Sequence, residues 1–127
     1  MTSSMIKNLA PLSNLTSTLF LSLDENHFFS SINAHFMGHM NCQKVQVYKI
    51  LDNGQSVLMA ENGHLIVNGH TLDKGVGAAG YIARTKRGYF SNTVERDPVF
   101  TREAGLGVKA ELCLPISADG VVLGSIH

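Results

Sequence analysis

Near residue 44 the hydrophobic period of this chain changes from helical to two, and that switch limits the folds open to it. Before it, Phe28, Phe29, Ile32, Phe36 and Met40 recur at the spacing of one helix face. After it, "KVQVYKIL" sets Val45, Val47 and Lys49 against Gln46, Tyr48 and Ile50, the alternation of a strand. A helix expected from Asp24, which can cap it, to about Asn41 therefore leads into sheet. Upstream, Leu15, Leu19, Phe20 and Leu23 follow Pro11 and a capping Ser13 and predict an earlier helix over Ser13–Leu23. Downstream, Asp52-Asn53-Gly54 turns the chain back into "QSVLMAE", and Asn62-Gly63 precedes a short "HLIV". A brief helix over Ala78–Thr85, a strand "GYFSN", a helix opened by Pro98 and a strand "VKAELCLPI" follow. Asp119-Gly120 then turns into the last strand, "VVLGSIH". The order predicts an α+β domain with several antiparallel pairs behind leading helices. It is read as one domain over residues 1–127, with N-terminal helices at 13–41 and sheet and pocket at 44–127.

At 127 residues and 44% hydrophobic content, the chain is long enough to bury a real core. Ten basic and ten acidic residues cancel to +0, so no broad field points to nucleic acid or to an anionic membrane surface. The apolar run "LAPLSNLTSTLFLSL" is broken by Pro11 and by hydroxyls and amides, and it lacks the charged front and cleavage site of a secretion signal. No stretch is long and apolar enough for a membrane span. Two cysteines, Cys42 and Cys113, make no disulfide framework, and a reducing cytoplasm is the expected location.

"GVGAAG", Gly75–Gly80, matches the glycine spacing of a dinucleotide-binding turn, and an acidic residue, Glu95 or Asp97, lies about twenty positions on. Its context does not fit. The residues before it, "NGHTLDK", are polar and loop-like rather than a buried strand, and the helix after it is short, with Gly88 expected to stop it. The glycines are expected to serve a tight turn and a close approach, with the Gly80 backbone packed against the sheet.

The run from Leu72 to Ile126 carries "GVGAAGYIART", "DPVF", "GVKAEL", "CLPI" and "DGVVLG" in order, and it resembles the GAF domain family. "LDENHFFSSINAHFMGHMNCQKVQVYKIL" is similar to that family's entry helix and first strand, so the resemblance covers roughly Leu15–His127. It implies a twisted antiparallel sheet with N-terminal helices on one face and a ligand pocket with short helices on the other. It also implies a regulatory role. Family members usually continue through a fifth strand into a closing helix that packs beside the first, whereas this sequence ends at His127. The chain is thus expected to be a fragment of a longer signalling protein or a trimmed sensory domain.

One enzymatic branch of the family reduces free methionine sulfoxide with cysteines, and "AELCLPI" is similar to its strand. The cysteines expected just before "GVKAE" are replaced by "REAGL", and Cys42 has no counterpart able to resolve an oxidised Cys113. Cys113 reads as a buried filler, and no enzyme activity is expected. His35, His39 and Cys42 recur at four and three residues, so one helix face could present them to a metal. Without a fourth ligand they read as a partly exposed face, and no metal is expected. His64, His70 and His127 do not cluster in sequence, and no cofactor is identified.

The expected ligand site rests on Glu111 and Cys113, which alternation places on one face of their strand, opposite Leu112, Leu114 and Ile116. Arg96 supplies a charge for an anionic ligand, Asn92 and Asp97 lie in the same loop region, and Tyr48, Phe90 and Phe100 form apolar walls. The Asn-Lys-Phe-Asp-Glu motif of cyclic-nucleotide-binding members is absent, and neither cysteine stands in a bilin-attachment context. The expected function is a sensory module that binds a small molecule, forms a homodimer through its N-terminal helices and controls an output domain outside this chain. The alternatives are an interaction module whose pocket its own side chains fill, and a sulfoxide reductase-like thiol enzyme.

Overall fold

The computed structural model describes residues 25–100 and 108–127. The expected helix at Ser13–Leu23, the Asp24 cap and most of the helix expected after Pro98 lie outside the described residues. Residues 98–100 themselves form a turn.

The stripe read from the sequence forms α1, Glu25–His39. Its Phe29, Ile32 and Phe36 enter a core cluster with Val45, Val47, Ala60, Ile116 and Ile126. The period-two segments form β1 (Gln46–Ile50), β2 (Ser56–Glu61), β3 (His64–Leu65), β4 (Thr71–Leu72), β5 (Tyr89–Ser91), β6 (Glu111–Ala118) and β7 (Val121–Ile126). They build one seven-stranded sheet in the order β3-β2-β1-β7-β6-β5, with β4 paired to β2 beside β3. Every strand pair is antiparallel. The second helix, α2, spans Gly77–Thr85, and a 3-10 turn spans Val94–Arg96.

Alternation along β6 separates the two sides of the sheet. Ile116 belongs to the α1 cluster and Leu114 packs against it, while Cys113 joins Ala78, Ile82, Val94 and Phe100 around α2. The two helices therefore cover opposite faces, the twisted α+β arrangement expected from sequence. Pro115 fits inside β6 because β5 pairs only with Glu111–Cys113, which leaves the strand edge free at the proline.

The hairpin turns follow the residues that demand them. Asn62 and Gly63 have φ of 50° and 84°, and Asp119 and Gly120 have φ of 51° and 77°, the left-handed pairs that suit two-residue hairpins. One buried amide ties α1 to the sheet. Asn33 is fully buried; its Nδ2 donates to Val45 O at 3.1 Å and Ala60 O at 3.2 Å, and its Oδ1 accepts from Gly63 N at 2.6 Å. All of its hydrogen-bonding directions toward the sheet are used, so the polar group does not penalise the core.

The "GVGAAG" glycines act at close range. Gly75 and Gly77 have φ of 79° and 68°, and a Cβ on Gly80 would lie 2.3 Å from the Gly75 carbonyl carbon. The close approach at Gly80 is thus to the loop entering α2 rather than to the sheet as expected. The helix also ends before Gly88: Lys86 takes a left-handed φ of 59° and its N–H reaches Ile82 O. β4 lies within the stretch read as loop, because a two-residue strand leaves too little periodicity to detect.

Candidate functional site

Three strands bring a polar row to the α2 face at the sheet end where β1 and β6 begin and β7 finishes. Val47 turns toward α1, so Tyr48, its neighbour in β1, projects to the other side. In β7, Ser125 stands opposite Tyr48 on one flank and Pro115 on the other. Continuing the β6–β7 register one step beyond Leu114↔Ile126 puts His127 across from Cys113, with Glu111 two residues away on the same face.

These side chains form a connected network. His127 Nε2 lies 2.8 Å from Ser125 Oγ, and its Nδ1 lies 3.2 Å from Glu111 Oε1. The Cys113 thiol donates to the same carboxylate oxygen at 3.6 Å. The Tyr48 ring meets the His127 ring edge-on at 5.2 Å, and Tyr48 Oη lies 2.9 Å from Nε2 of His70, a loop residue just before β4. Burial, followed by the negative charges of Glu111 and Glu61, pushes the Tyr48 phenol up to about 12, so it keeps its proton and can donate at neutral pH. Burial and the neighbouring Glu111 carboxylate push the Cys113 thiol well above its ordinary value. At neutral pH it is a protonated, weakly nucleophilic thiol.

A cavity of about 950 Å³ wraps the end of the sheet at this row, its lining drawn from both faces. Tyr48, His70, Glu111 and His127 contribute part of its polar lining, with Gln43, Gln46 and Lys109; Phe100 lines it on the α2 side, and Phe36, Leu114 and Ile126 line it on the α1 side. Gly77, Ala78 and Ala79 line it as well, so the first turn of α2 borders the space. The residue before that turn, Val76, makes no side-chain cap.

Of the residues singled out in sequence, Tyr48, Phe100 and Glu111 line this cavity together. Cys113 lies buried beneath Glu111. Phe90 is 61% exposed on β5, and Asn92 and Arg96 are exposed near the 3-10 turn; the cavity lining includes none of them. Asp97 is engaged locally, accepting from Tyr89 Oη at 2.6 Å and from Val99 N at 2.9 Å. Those two bonds hold its carboxyl below the ordinary carboxylate range. The His35 and His39 rings stack at 4.2 Å, with His39 Nδ1 2.7 Å from His35 O, and Cys42 Sγ turns to Met40 O at 3.6 Å. Among the described residues, Glu111, Cys113 and His127 are the side chains whose donor atoms converge, all within 4.8 Å of one another. His70 and His127 were missed as partners in sequence, because strand pairing and a loop crossing bring them together over long separations. The alternation of Ser125 and His127 within "GSIH" was the one available sign.

No protein-family model matches the sequence, and neither does any curated protein. Solved structures do match. The chain is similar to the GAF domain of a phosphoenolpyruvate-protein phosphotransferase from Acinetobacter, at a TM-score of 0.68 and 15% identity over 99% of this chain and 76% of that one. It is similar to the nlh2 GAF domain of A. aeolicus in an inactive state, at 0.66 and 14% over 95% and 75%. It is also similar to a free methionine-R-sulfoxide reductase from Neisseria meningitidis in complex with its substrate, at 0.66 and 17% over 93% and 68%. Identities this low speak to architecture alone, and the architecture agrees across nearly the whole chain. The sheet order, the helix on each face and these likenesses lead to one conclusion: this chain has the GAF-domain fold.

Proposed function

We propose that this chain is a sensory module that takes a small polar molecule into the α2-side part of the cavity at the sheet end and signals its occupancy to an output domain. The observation that carries this reading is the convergence of Tyr48, His70, Glu111 and His127 on the α2-side part of a cavity of about 950 Å³ in all. That volume is of the size that small-molecule sites occupy, and a few polar groups among apolar walls are their usual lining. The chemistry favours a ligand with a hydrogen-bond donor for Glu111 and an acceptor for the Tyr48 hydroxyl. Phe100 and Ala78 act as apolar walls. Arg96, Asn92, Asp97 and Phe90 lie outside the cavity lining and are assigned no direct ligand contact. The test is thermal-shift screening with amino acids, nucleobases and small organic acids. A hit should raise Tm in the parent chain and lose most of its effect in Glu111→Gln and Tyr48→Phe. Hits that act equally on both variants would count against the site.

A thiol enzyme is the second reading, favoured by the seat of Cys113 beside Glu111 and by the likeness to a sulfoxide reductase. The protonated state of the Cys113 thiol weighs against it, and we assign the chain no reductase activity. Turnover of free methionine sulfoxide with a thiol reductant, lost in Cys113→Ser, would reverse that assignment. We further assign a homodimer through the leucines Leu12, Leu15, Leu19 and Leu23, in a reducing cytoplasm. Light scattering should find dimers that Leu15→Glu with Leu19→Glu disperses; a monomeric parent chain would contradict this.

A further inference from the structure

We propose that Glu111, Cys113 and His127 form a binding site for a divalent transition metal of the zinc type at the floor of the cavity. The geometry is close to what such an ion needs. Ligand atoms around tetrahedral zinc stand about 3.3–3.7 Å apart, given metal bonds of about 2.0–2.3 Å. Glu111 Oε1 lies 3.2 Å from His127 Nδ1 and 3.6 Å from Cys113 Sγ, and the donor atoms of all three side chains fall within 4.8 Å. Small side-chain movements suffice to wrap them around one ion.

The donor chemistry selects the ion. A thiolate and an imidazole disfavour magnesium and calcium, which take oxygen ligands, and suit zinc or cobalt. A carboxylate, a thiolate and a neutral imidazole together carry two negative charges, so a dication leaves this buried cluster neutral. On binding, the metal–sulfur bond forms as the Cys113 thiol loses its proton to solvent, which makes affinity rise with pH. The raised thiol pKa of the metal-free chain is no obstacle, because a coordinating thiol is deprotonated by the cation itself.

A supporting contact is already in place. Ser125 Oγ lies 2.8 Å from His127 Nε2, the position from which a partner fixes the ring and leaves Nδ1 as the ligating nitrogen. Glu111, Cys113 and Ser125 lie in strands, and His127, one residue past β7, is tied to β1 by paired backbone bonds with Gln46 at 2.8 Å, so the cluster is built on fixed elements. Three protein ligands leave the fourth position to water or to a molecule in the cavity. The site shares Glu111 and His127 with the ligand-sensing proposal, but the two are tested separately, since metal uptake is measured with no other ligand added.

Cobalt(II) titration of the reduced, metal-stripped chain tests the assignment, because thiolate coordination produces a charge-transfer absorption band. One equivalent of cobalt should produce that band, and zinc should remove it by competition. The band should persist in Cys42→Ser and vanish in Cys113→Ser, with folding followed by circular dichroism. If Cys113→Ser does not fold, His127→Gln and Ser125→Ala decide the matter; the first should abolish stoichiometric binding and the second weaken it about 10–100-fold. No band in the folded parent chain would overturn the proposal. So would a band that survives Cys113→Ser and disappears with Cys42→Ser, which would place the metal at His35, His39 and Cys42.

Discussion

Alanine at Gly80 and at Gly38 should change stability in opposite directions, although both glycines lie in helices. At Gly80 the new Cβ would sit 2.3 Å from Gly75 C, 2.7 Å from Gly75 Cα and 2.9 Å from Gly75 O. Those are backbone atoms, so no flexible side chain can yield; the α2 entry must move instead. Overpacking of this kind costs about 1–3 kcal/mol, and a clash with backbone at this distance belongs at the upper end. The helix-propensity gain from glycine to alanine returns about 1 kcal/mol. The net expectation for Gly80→Ala is a loss of about 2 kcal/mol, obtained from these two ranges. At Gly38 nothing lies within 4 Å of the added Cβ and the residue is exposed near the end of α1. There only the propensity term remains, and Gly38→Ala should stabilise by about 0.5–1 kcal/mol. Thermal unfolding followed by circular dichroism reads both, at several degrees per kcal/mol for a domain of this size. Gly80→Ala at or above the parent Tm would refute the close approach between α2 and its entry loop.

Asn33→Leu should cost more than about 2 kcal/mol in urea unfolding, because it strands Val45 O, Ala60 O and Gly63 N without their side-chain partner; a loss below about 0.5 kcal/mol would show that the amide is not a fixed tie. In the metal-free chain, iodoacetamide should label Cys42 quickly and Cys113 only on unfolding, since one is exposed and the other buried with a raised thiol pKa. Mass spectrometry of the digested protein checks this, and equal labelling would contradict it. Tyr89→Phe should raise the Asp97 carboxyl toward its ordinary value, followed by NMR titration. The sign follows from that lowered value: Asp97 stabilises the fold above the ordinary carboxylate pKa, and the contribution disappears as pH falls through the lower folded value. Removing the Tyr89 hydroxyl should shrink that acid-side loss, and an unmoved Asp97 would mean that the hydroxyl bond is not the main cause.

Long periodic segments were the most legible part of the fold. The Phe29, Ile32, Phe36 stripe and the alternation through Val45 and Val47 state burial directly, and Asp119-Gly120 states a turn that few other residue pairs can make. Two-residue strands such as β4 have no period to read, and the Lys86 helix end depends on a left-handed residue that composition does not announce. The bulge in the β1–β2 pairing between Val47 and Tyr48 is equally silent in sequence. The site was legible only in part. Glu111 and Cys113 share a face by simple alternation, but His127 joins them through the β6–β7 register and His70 through a loop that runs along the edge of β2. Arg96 and Asn92 carry charge and polarity near a loop, but such surface groups bear no sequence mark of the direction they face, and both are exposed outside the cavity lining.

Protein-observed NMR with an amide-assigned sample tests the sensory reading most directly. A ligand found by screening should shift the amides of Gly77–Ala79, Tyr48, Glu111 and Ser125 together, in proportion to one saturable binding curve. Residues of the α1 core such as Phe29 and Ile32 should stay in place. If no compound in a broad metabolite panel shifts that set, or if the shifts gather on exposed β5 around Phe90 instead, the cavity is not the sensing site.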